Sequence, residues 1–160
     1  MPGRLERVDL GQDFTVFVDY AHTDAALESV LSNLKLMPHG RIITVFGCGG
    51  DRDRTKRAPM GAVSCSLSDL AIVTSDNPRG EDPAQIFSDI EKGIAGKFTN
   101  YEIIQDRRTA IAKAVGLAAK GDIVLIAGKG HENYQILGDK TIHFSDAEEA
   151  AAAIKGRQRA

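Results

Sequence analysis

Short apolar runs alternate along the chain with segments in which apolar residues recur at helical spacing. The runs 14–18, 42–46, 70–74 and 123–127 predict buried strands, 101–104 predicts a shorter one, and 141–144 predicts a short sixth strand that could lie at an edge. Leu27, Val30, Leu31 and Leu34 follow the i, i+3, i+4, i+7 pattern of one helix face. Further helices are predicted over 56–66, 83–94, 111–118 and, after the capping box Ser145-x-x-Glu148, 147–154.

This alternation predicts an α/β fold. Continuously apolar strands separated by helices are typical of a mostly parallel, Rossmann-like sheet of about six strands with helices on both faces. The 160 residues suit a single domain. In such sheets ligands bind beyond the carboxyl ends of the strands. The residues that follow each strand should therefore be considered together, and the segments are 19–22, 47–54, 76–79, 106–108 and 128–132.

Composition excludes several classes of protein. With 20 basic and 22 acidic residues, the net charge of −2 lacks the basic excess of a nucleic-acid-binding surface. No apolar run approaches the ~20 residues that span a bilayer, and residues 1–4 do not begin a signal peptide. Cys48 and Cys65 do not form a disulfide framework and are interpreted as structural thiols, so a cytoplasmic location is expected.

The loop Asp76-Asn77-Pro78-Arg79 follows the third strand and places a carboxylate, an amide and a guanidinium on one turn. Proline stiffens this turn, but a plain turn would not need the flanking charges. The loop could hold a small molecule with both an amine and a carboxylate. It could also be a solvated turn whose charges face water.

The glycines at 47, 49 and 50 allow the backbone to approach a ligand closely, and their amides could face an anion. This is not the dinucleotide-binding fingerprint, because Arg52 stands where the third glycine belongs. Arg52 is the best candidate in the loop for binding a carboxylate or phosphate through two hydrogen bonds. The alternative is a glycine turn that leads into a solvated run of charges.

Gly128-Lys129-Gly130 resembles the end of a phosphate-binding P-loop, but Ile123 occupies the position of the required first glycine. Any ATP phosphates would then be held by another segment of polypeptide. The alternative interpretation is a simple connection from a strand into a turn.

Neither His22 nor His131 has a second metal ligand at helical or hairpin spacing, so no metal site is predicted. Asp19 and His22 could form a carboxylate–imidazole pair that contacts a nucleotide. They could equally cap the helix that begins near Thr23.

In these motifs the chain resembles the carboxy-terminal domain of the Mur ligases, and within them the ligase that adds the third peptide residue to UDP-N-acetylmuramoyl-dipeptide. The resemblance covers nearly the whole chain. Asp24 departs from the family, which commonly has proline there. The matching segments are Pro2-Gly3-Arg4, Asp19-Tyr20-Ala21-His22-Thr23, Gly47-Cys48-Gly49-Gly50-Asp51-Arg52-Asp53, Asp76-Asn77-Pro78-Arg79 and Gly128-Lys129-Gly130-His131-Glu132-Asn133-Tyr134-Gln135.

The resemblance implies one domain of a three-domain, ATP-dependent ligase. ATP and Mg²⁺ would be held mainly by a central domain absent from this chain, and UDP-N-acetylmuramoyl-L-alanyl-D-glutamate by the absent domains. No cofactor is expected on this chain alone, and no ligase activity. The reaction would be amide formation through an acyl phosphate, with meso-diaminopimelate as the incoming amino acid. The alternative is a stand-alone module that binds an amino acid or a nucleotide without catalysis.

The resemblance also implies residue roles. Arg52 and Arg79 would take carboxylates, Asp76 and Glu132 would accept from ammonium groups, and Gly128 would offer its carbonyl. Asn77 and Pro78 belong to the same diaminopimelate-binding set. Asp19, Tyr20 and His22 would lie near the adenosine of ATP.

Overall fold

In the computed structural model, which describes residues 4–159, six strands form one sheet in the order β1-β2-β6-β3-β4-β5. All neighbouring strands are parallel except β1, which pairs antiparallel with β2. Pro2 and Gly3 of the matching segment Pro2-Gly3-Arg4 lie outside the described residues. The strands are β1 Glu6–Arg7, β2 Thr15–Asp19, β3 Ile42–Phe46, β4 Leu70–Val73, β5 Tyr101–Ile103 and β6 Ile123–Ala127.

Five α-helices connect or follow these strands, and side-chain caps begin several of them. Thr23, Asp82 and Asp106 each accept a hydrogen bond from a backbone amide in the first turn of a helix, which satisfies a donor that has no partner within the helix. A single 3-10 turn, Arg54–Lys56, precedes the second helix. The helices are α1 Asp24–Lys35, α2 Arg57–Leu67, α3 Pro83–Glu91, α4 Arg107–Leu117 and α5 Asp146–Arg159.

The sheet is covered on both faces, as the apolar strands predict. Helices α1, α2 and α3 pack on one face against alternate strand residues such as Phe46 and Leu125. Helices α4 and α5 pack on the other against the intervening residues, such as Val45 and Val124. The predicted α/β architecture is confirmed. Because four neighbouring parallel strands end at the same edge, the loops that follow β2, β3, β4 and β6 come together there.

The strand predicted over 141–144 is present, but it does not belong to the main sheet. Lys140–His143 forms β8, which pairs only with β7, Tyr134–Leu137, in a separate two-stranded hairpin. The edge strands of the main sheet are β5 and β1, and β1 is a two-residue strand without an apolar pattern to reveal it. Strand β7 is partly exposed and lacks the alternation of apolar and polar residues by which strands are detected, so the sequence does not predict it.

Two helix ends also differ from expectation. Helix α3 ends at Glu91, and Ile94 is buried in the turn that follows it. The tail helix, predicted over 147–154, continues through the basic residues from Lys155 to Arg159. Arg157 anchors it by donating to the carbonyl oxygens of Val115 and Ala118 and by lying over the Phe14 ring, 4.6 Å from its centroid. Between residues 4 and 159 no helix combines the length and apolar character needed to cross a bilayer.

Candidate functional site

A cavity of about 510 Å³ opens at the edge of the sheet where the carboxyl ends of the central strands meet. Its wall includes most of the residues that the sequence singled out. Pro78 and Asp19 are buried and do not line it. The predicted residues that do line it are Arg52, Asp76, Asn77, Arg79, Gly128 and Glu132, together with Tyr20 and His22.

The glycines after β3 bring two loops of the protein together. A Cβ on Gly50 would lie 1.7 Å from the carbonyl oxygen of Pro78, and one on Gly47 would lie 2.3 Å from that of Thr74. The Gly50 amide donates to the carbonyl oxygen of Asn77 at 2.7 Å. Close packing of the chain itself therefore requires both glycines, and Gly47 also lines the cavity. They allow the β3 loop to pack against the β4 loop.

Two arginines flank the third glycine, Gly49. A Cβ there would lie 3.0 Å from Nη1 of Arg79 and 3.4 Å from Cγ of Arg52. Arg79 is braced, because Nη1 donates to the carbonyl oxygen of Gly50 at 3.0 Å. Arg52 is exposed and has no hydrogen bond or ion pair within residues 4–159. The cavity wall therefore includes one fixed and one free arginine side chain, an arrangement suited to binding carboxylates.

The hairpin β7–β8 holds the backbone of Arg79. The amide of Arg79 donates to the carbonyl oxygen of Ile136 at 3.1 Å, and the amide of Gly138 donates to that of Arg79 at 2.8 Å. Arg79 has φ of 55°, a region that residues with side chains seldom adopt. The hairpin offsets this strain and sets the direction in which the guanidinium leaves the loop.

Lys129 is buried behind the cavity, and its role is not evident from the sequence motifs. Its side chain is fully buried, and Nζ donates to Oδ1 of Asn77 at 2.9 Å and to the carbonyl oxygen of Tyr134 at 3.0 Å. Nζ also lies 3.1 Å from Oδ1 of Asp76 and 3.8 Å from Oε1 of Glu132. The signal in the sequence was a lysine directly after the most apolar strand, where burial requires partners.

Burial shifts the protonation equilibria of this cluster in opposite directions. It lowers the pKa of Lys129, an effect that the neighbouring Asp76 carboxylate opposes. It raises the pKa of Glu132, and the negative charge of Asp76 raises it further. Lys129 and the two carboxylates are therefore electrostatically coupled.

Asn77 is buried and already engaged with the protein. Its Oδ1 accepts from Nζ of Lys129 and from the amide of Ile136, at 2.9 and 3.0 Å. Gln135 supports the same loop, because its Nε2 donates to the carbonyl oxygen of Asp76 at 2.9 Å. The carbonyl oxygen of the Asn77 side chain therefore ties the loop to β7.

The β2 loop has a different arrangement from either interpretation offered for it. Asp19 accepts from the amides of Leu5 and Ala21, each at 2.8 Å, and does not pair with His22. Helix α1 is capped by Thr23 instead. Short polar side chains bond to nearby backbone amides in preference to distant partners, so this local network could not be read from spacing.

Tyr20 is the centre of an aromatic group at one side of the cavity. Its ring centroid lies 4.7 Å from that of His22 and 6.3 Å from that of His131, and the guanidinium of Arg4 lies over the ring at 5.8 Å. Such a surface can receive a planar ring by stacking. It lies beside the charged part of the cavity.

Arg57, a second buried cation that the sequence analysis missed, braces the β3 loop from behind. Its guanidinium donates to Glu81 at 2.6 and 2.8 Å, to Asp89 at 2.9 Å and to the carbonyl oxygen of Gly49 at 3.0 Å. The hydrogen bond from Arg57 holds the pKa of Glu81 down to about 2. Arg57 therefore joins the loop to helix α3.

The family model described as "Mur ligase, glutamate ligase domain" matches residues 3–130. This chain belongs to the Mur ligase family. The described residues of this Mur ligase domain contain no group of three or more histidine, cysteine or acidic side chains placed to hold a metal ion.

Several UDP-N-acetylmuramoyl-L-alanyl-D-glutamate–2,6-diaminopimelate ligases resemble this Mur ligase domain in sequence. That of Clostridium acetobutylicum is 54% identical over 97% of the chain, and that of Synechocystis sp. is 55% identical over 96%. The match spans 32% and 31% of these relatives, so the chain covers about a third of their length. A solved structure named as the same ligase superposes with a TM-score of 0.92, at 44% identity, over 99% of this chain and 32% of its own.

Proposed function

We propose that this chain is the amino-acid-binding domain of an ATP-dependent ligase that adds meso-2,6-diaminopimelate to UDP-N-acetylmuramoyl-L-alanyl-D-glutamate in peptidoglycan precursor synthesis. The names of its relatives support this reaction. The observation that carries the proposal is that two arginines, Arg52 and Arg79, line one cavity together with the carboxylates of Asp76 and Glu132.

The charges of the cavity match an amino acid with two carboxylates. Arg79, held by the hairpin, would bind one carboxylate, and the free Arg52 would bind another. Asp76 and Glu132 would accept from an ammonium group, and Gly128 would contribute its carbonyl oxygen. Lysine has a single carboxylate, so one arginine would stay unpaired with lysine bound. An unpaired charge in a partly buried site is costly, which favours diaminopimelate.

This chain would position the incoming amino acid for the reaction. Holding the amine of the amino acid against an activated carboxyl group lowers the entropic part of the barrier. Closure of the domain against the rest of the enzyme would bring the two together. Tyr20 and His22 would lie near the adenosine of ATP, and Asp19 would support them by fixing the β2 loop.

ATP phosphates and Mg²⁺ do not fit the residues of this chain. The sequence lacks a complete P-loop, since Ile123 replaces its first glycine, and the described residues offer no metal-binding cluster. We assign these groups to a central domain outside the chain, and we propose that the isolated chain has no ligase activity. We further propose a bacterial cytoplasmic location, which the two free, buried cysteines support.

The proposal is tested by Arg79→Ala in the full-length protein. We expect kcat/KM for diaminopimelate to fall at least about 100-fold, because a charge-assisted contact to a carboxylate is lost, while ATP binding persists. Arg79→Lys is the matched control, since it keeps the charge without the planar, two-donor geometry. Its kcat/KM should lie between those of the wild type and of Arg79→Ala. Undiminished turnover in the alanine variant would refute the assignment.

A stand-alone binding module is the second candidate, because the cavity is built entirely from residues of this chain. Calorimetry on the 160-residue chain separates the two. Micromolar binding of diaminopimelate without any other domain would favour the module. Binding that requires the full-length protein would favour the ligase.

A further inference from the structure

The ammonium group of Lys129 lies beside two carboxylates that line the cavity, those of Asp76 and Glu132. Its Nζ is inaccessible to solvent and lies between the carboxylates of Asp76 and Glu132, at 3.1 and 3.8 Å. Two neutral oxygens, Oδ1 of Asn77 and the carbonyl of Tyr134, complete its surroundings. Lys129 does not line the cavity itself, but its positive charge lies directly behind the two carboxylates that do.

The two carboxylate oxygens of Asp76 have different surroundings. Oδ1 of Asp76 is buried and faces Lys129 without hydrogen-bond alignment among the described residues. Asp76 nevertheless lines the cavity, so its other oxygen, Oδ2, is the one that can meet a ligand. Glu132 retains 21% exposure of its side chain and also lines the cavity. One cation facing two anions leaves a single unbalanced negative charge.

We propose that Lys129 is a positioning residue that limits the acidic side of the cavity to one ligand ammonium, so that a diamino ligand binds with its second amine neutral. The inference rests on the proposed function. A neutral amine is the form that can attack an activated carboxyl group, whereas a doubly protonated diamino acid cannot react. The lysine would therefore favour the reactive form, and the ligand's second proton would pass to solvent.

Other charged and titratable groups near Lys129, Asp76 and Glu132 do not reverse the net negative charge of these three side chains. Arg107 and Asp146 pair with each other behind the cluster. The positive charge of Arg79 also acts on Glu132, but in the proposed complex a ligand carboxylate would neutralise it, so the acidic side keeps its single unbalanced negative charge. The Cys48 thiol beside Asp76 has a pKa raised to about 12 and stays neutral, and the Tyr134 ring lies 5.8 Å from Nζ of Lys129.

The test is the pH dependence of single-turnover amide formation in the full-length protein at saturating diaminopimelate. The acidic limb of this profile reports the pKa of the amine in the bound complex, whereas the limb of kcat/KM reports free enzyme and free substrate. For Lys129→Met we expect the bound-state limb to move up by about one pH unit or more, because a cation that disfavours protonation has been removed. Lys129→Arg should keep the limb in place even if its rate is lower.

Two further variants separate charge from structure. Gln135→Met removes a hydrogen bond to the same loop, that to the carbonyl oxygen of Asp76, without changing charge, so it should lower the rate without moving the limb. Glu132→Gln removes one anion and should move the limb to lower pH, opposite to Lys129→Met. This second direction keeps the proposal testable if Lys129→Met fails to fold.

The possible failures are distinguishable. An unmoved limb in Lys129→Met, or an equal shift in Gln135→Met, would overturn the inference while leaving the ligase assignment intact. If Lys129→Met does not fold, Glu132→Gln decides instead. An acidic limb that stays in place or moves to higher pH in Glu132→Gln would overturn the inference and leave the ligase assignment intact. Absence of diaminopimelate turnover in the wild-type protein would overturn the proposed function itself, and this inference with it.

Discussion

Arg107 and Asp146 form an ion pair in which both side chains are fully buried, with Nε–Oδ1 and Nη2–Oδ2 distances of 2.8 and 2.7 Å. The same guanidinium donates to the carbonyl oxygens of Ser75 and Ala127, each at 3.1 Å. These residues immediately precede Asp76 and Gly128. The pair therefore fixes the spacing of the β4 and β6 loops from behind the cavity.

We expect Arg107→Met to destabilise the protein by about 3–5 kcal/mol, because Asp146 is left as an uncompensated buried charge. Urea denaturation measures the change in the free energy of unfolding. The double variant Arg107→Met/Asp146→Leu removes both charges and should recover much of that loss. Additive losses in the double variant would contradict this account of the pair.

Gly50→Ala should destabilise the protein, because the added Cβ would lie 1.7 Å from the carbonyl oxygen of Pro78 and the two loops would have to separate. Overpacking of this kind costs about 1–3 kcal/mol. Gly116→Ala is the matched control, since no atom lies within 4 Å of its Cβ and the residue lies in helix α4. It should stabilise by about 0.5–1 kcal/mol. Thermal unfolding of both variants checks the opposite signs.

Protonation of Glu81 should account for part of the loss of folding stability at low pH. The hydrogen bond from Arg57 lowers its pKa from 4.5 to about 2, so the stabilisation is complete above pH 4.5 and is lost as pH falls towards 2. Glu81→Gln should have a lower Tm than the wild type at pH 6, and the difference should shrink on acidification. Parallel Tm curves between pH 6 and 2.5 would contradict the assignment.

Both cysteines should be unreactive in the folded protein. Burial raises the pKa of Cys48 to about 12, with a further contribution from Asp76, and burial raises that of Cys65 to about 11. Thiolates are the reactive species, so a chromogenic disulfide reagent at pH 8 should react slowly with the native protein. Both thiols should react rapidly in denaturant. Fast labelling of the native protein would show that one thiol is accessible as a thiolate.

Much of the fold followed from local patterns. The runs that became β2, β3, β4 and β6 are apolar because both faces of a parallel sheet are covered, so their character survives in the sequence. Strands β1 and β7 gave no such signal, since they are short and partly exposed. The proposed contact residues could be grouped for a similar reason, because parallel strands place their carboxyl ends at one edge.

The roles of the cationic side chains could not be predicted from local patterns. The sequence alone indicated an α/β domain with polar loops at one edge of a sheet, and the loop motifs identified its family. Only the tertiary structure showed that Lys129, Arg57 and Arg107 are buried and brace those loops, whereas Arg52 remains free. Whether a charged side chain supports the protein or faces the cavity depends on partners far away in sequence. Burial makes those partners obligatory, and no local spacing specifies them.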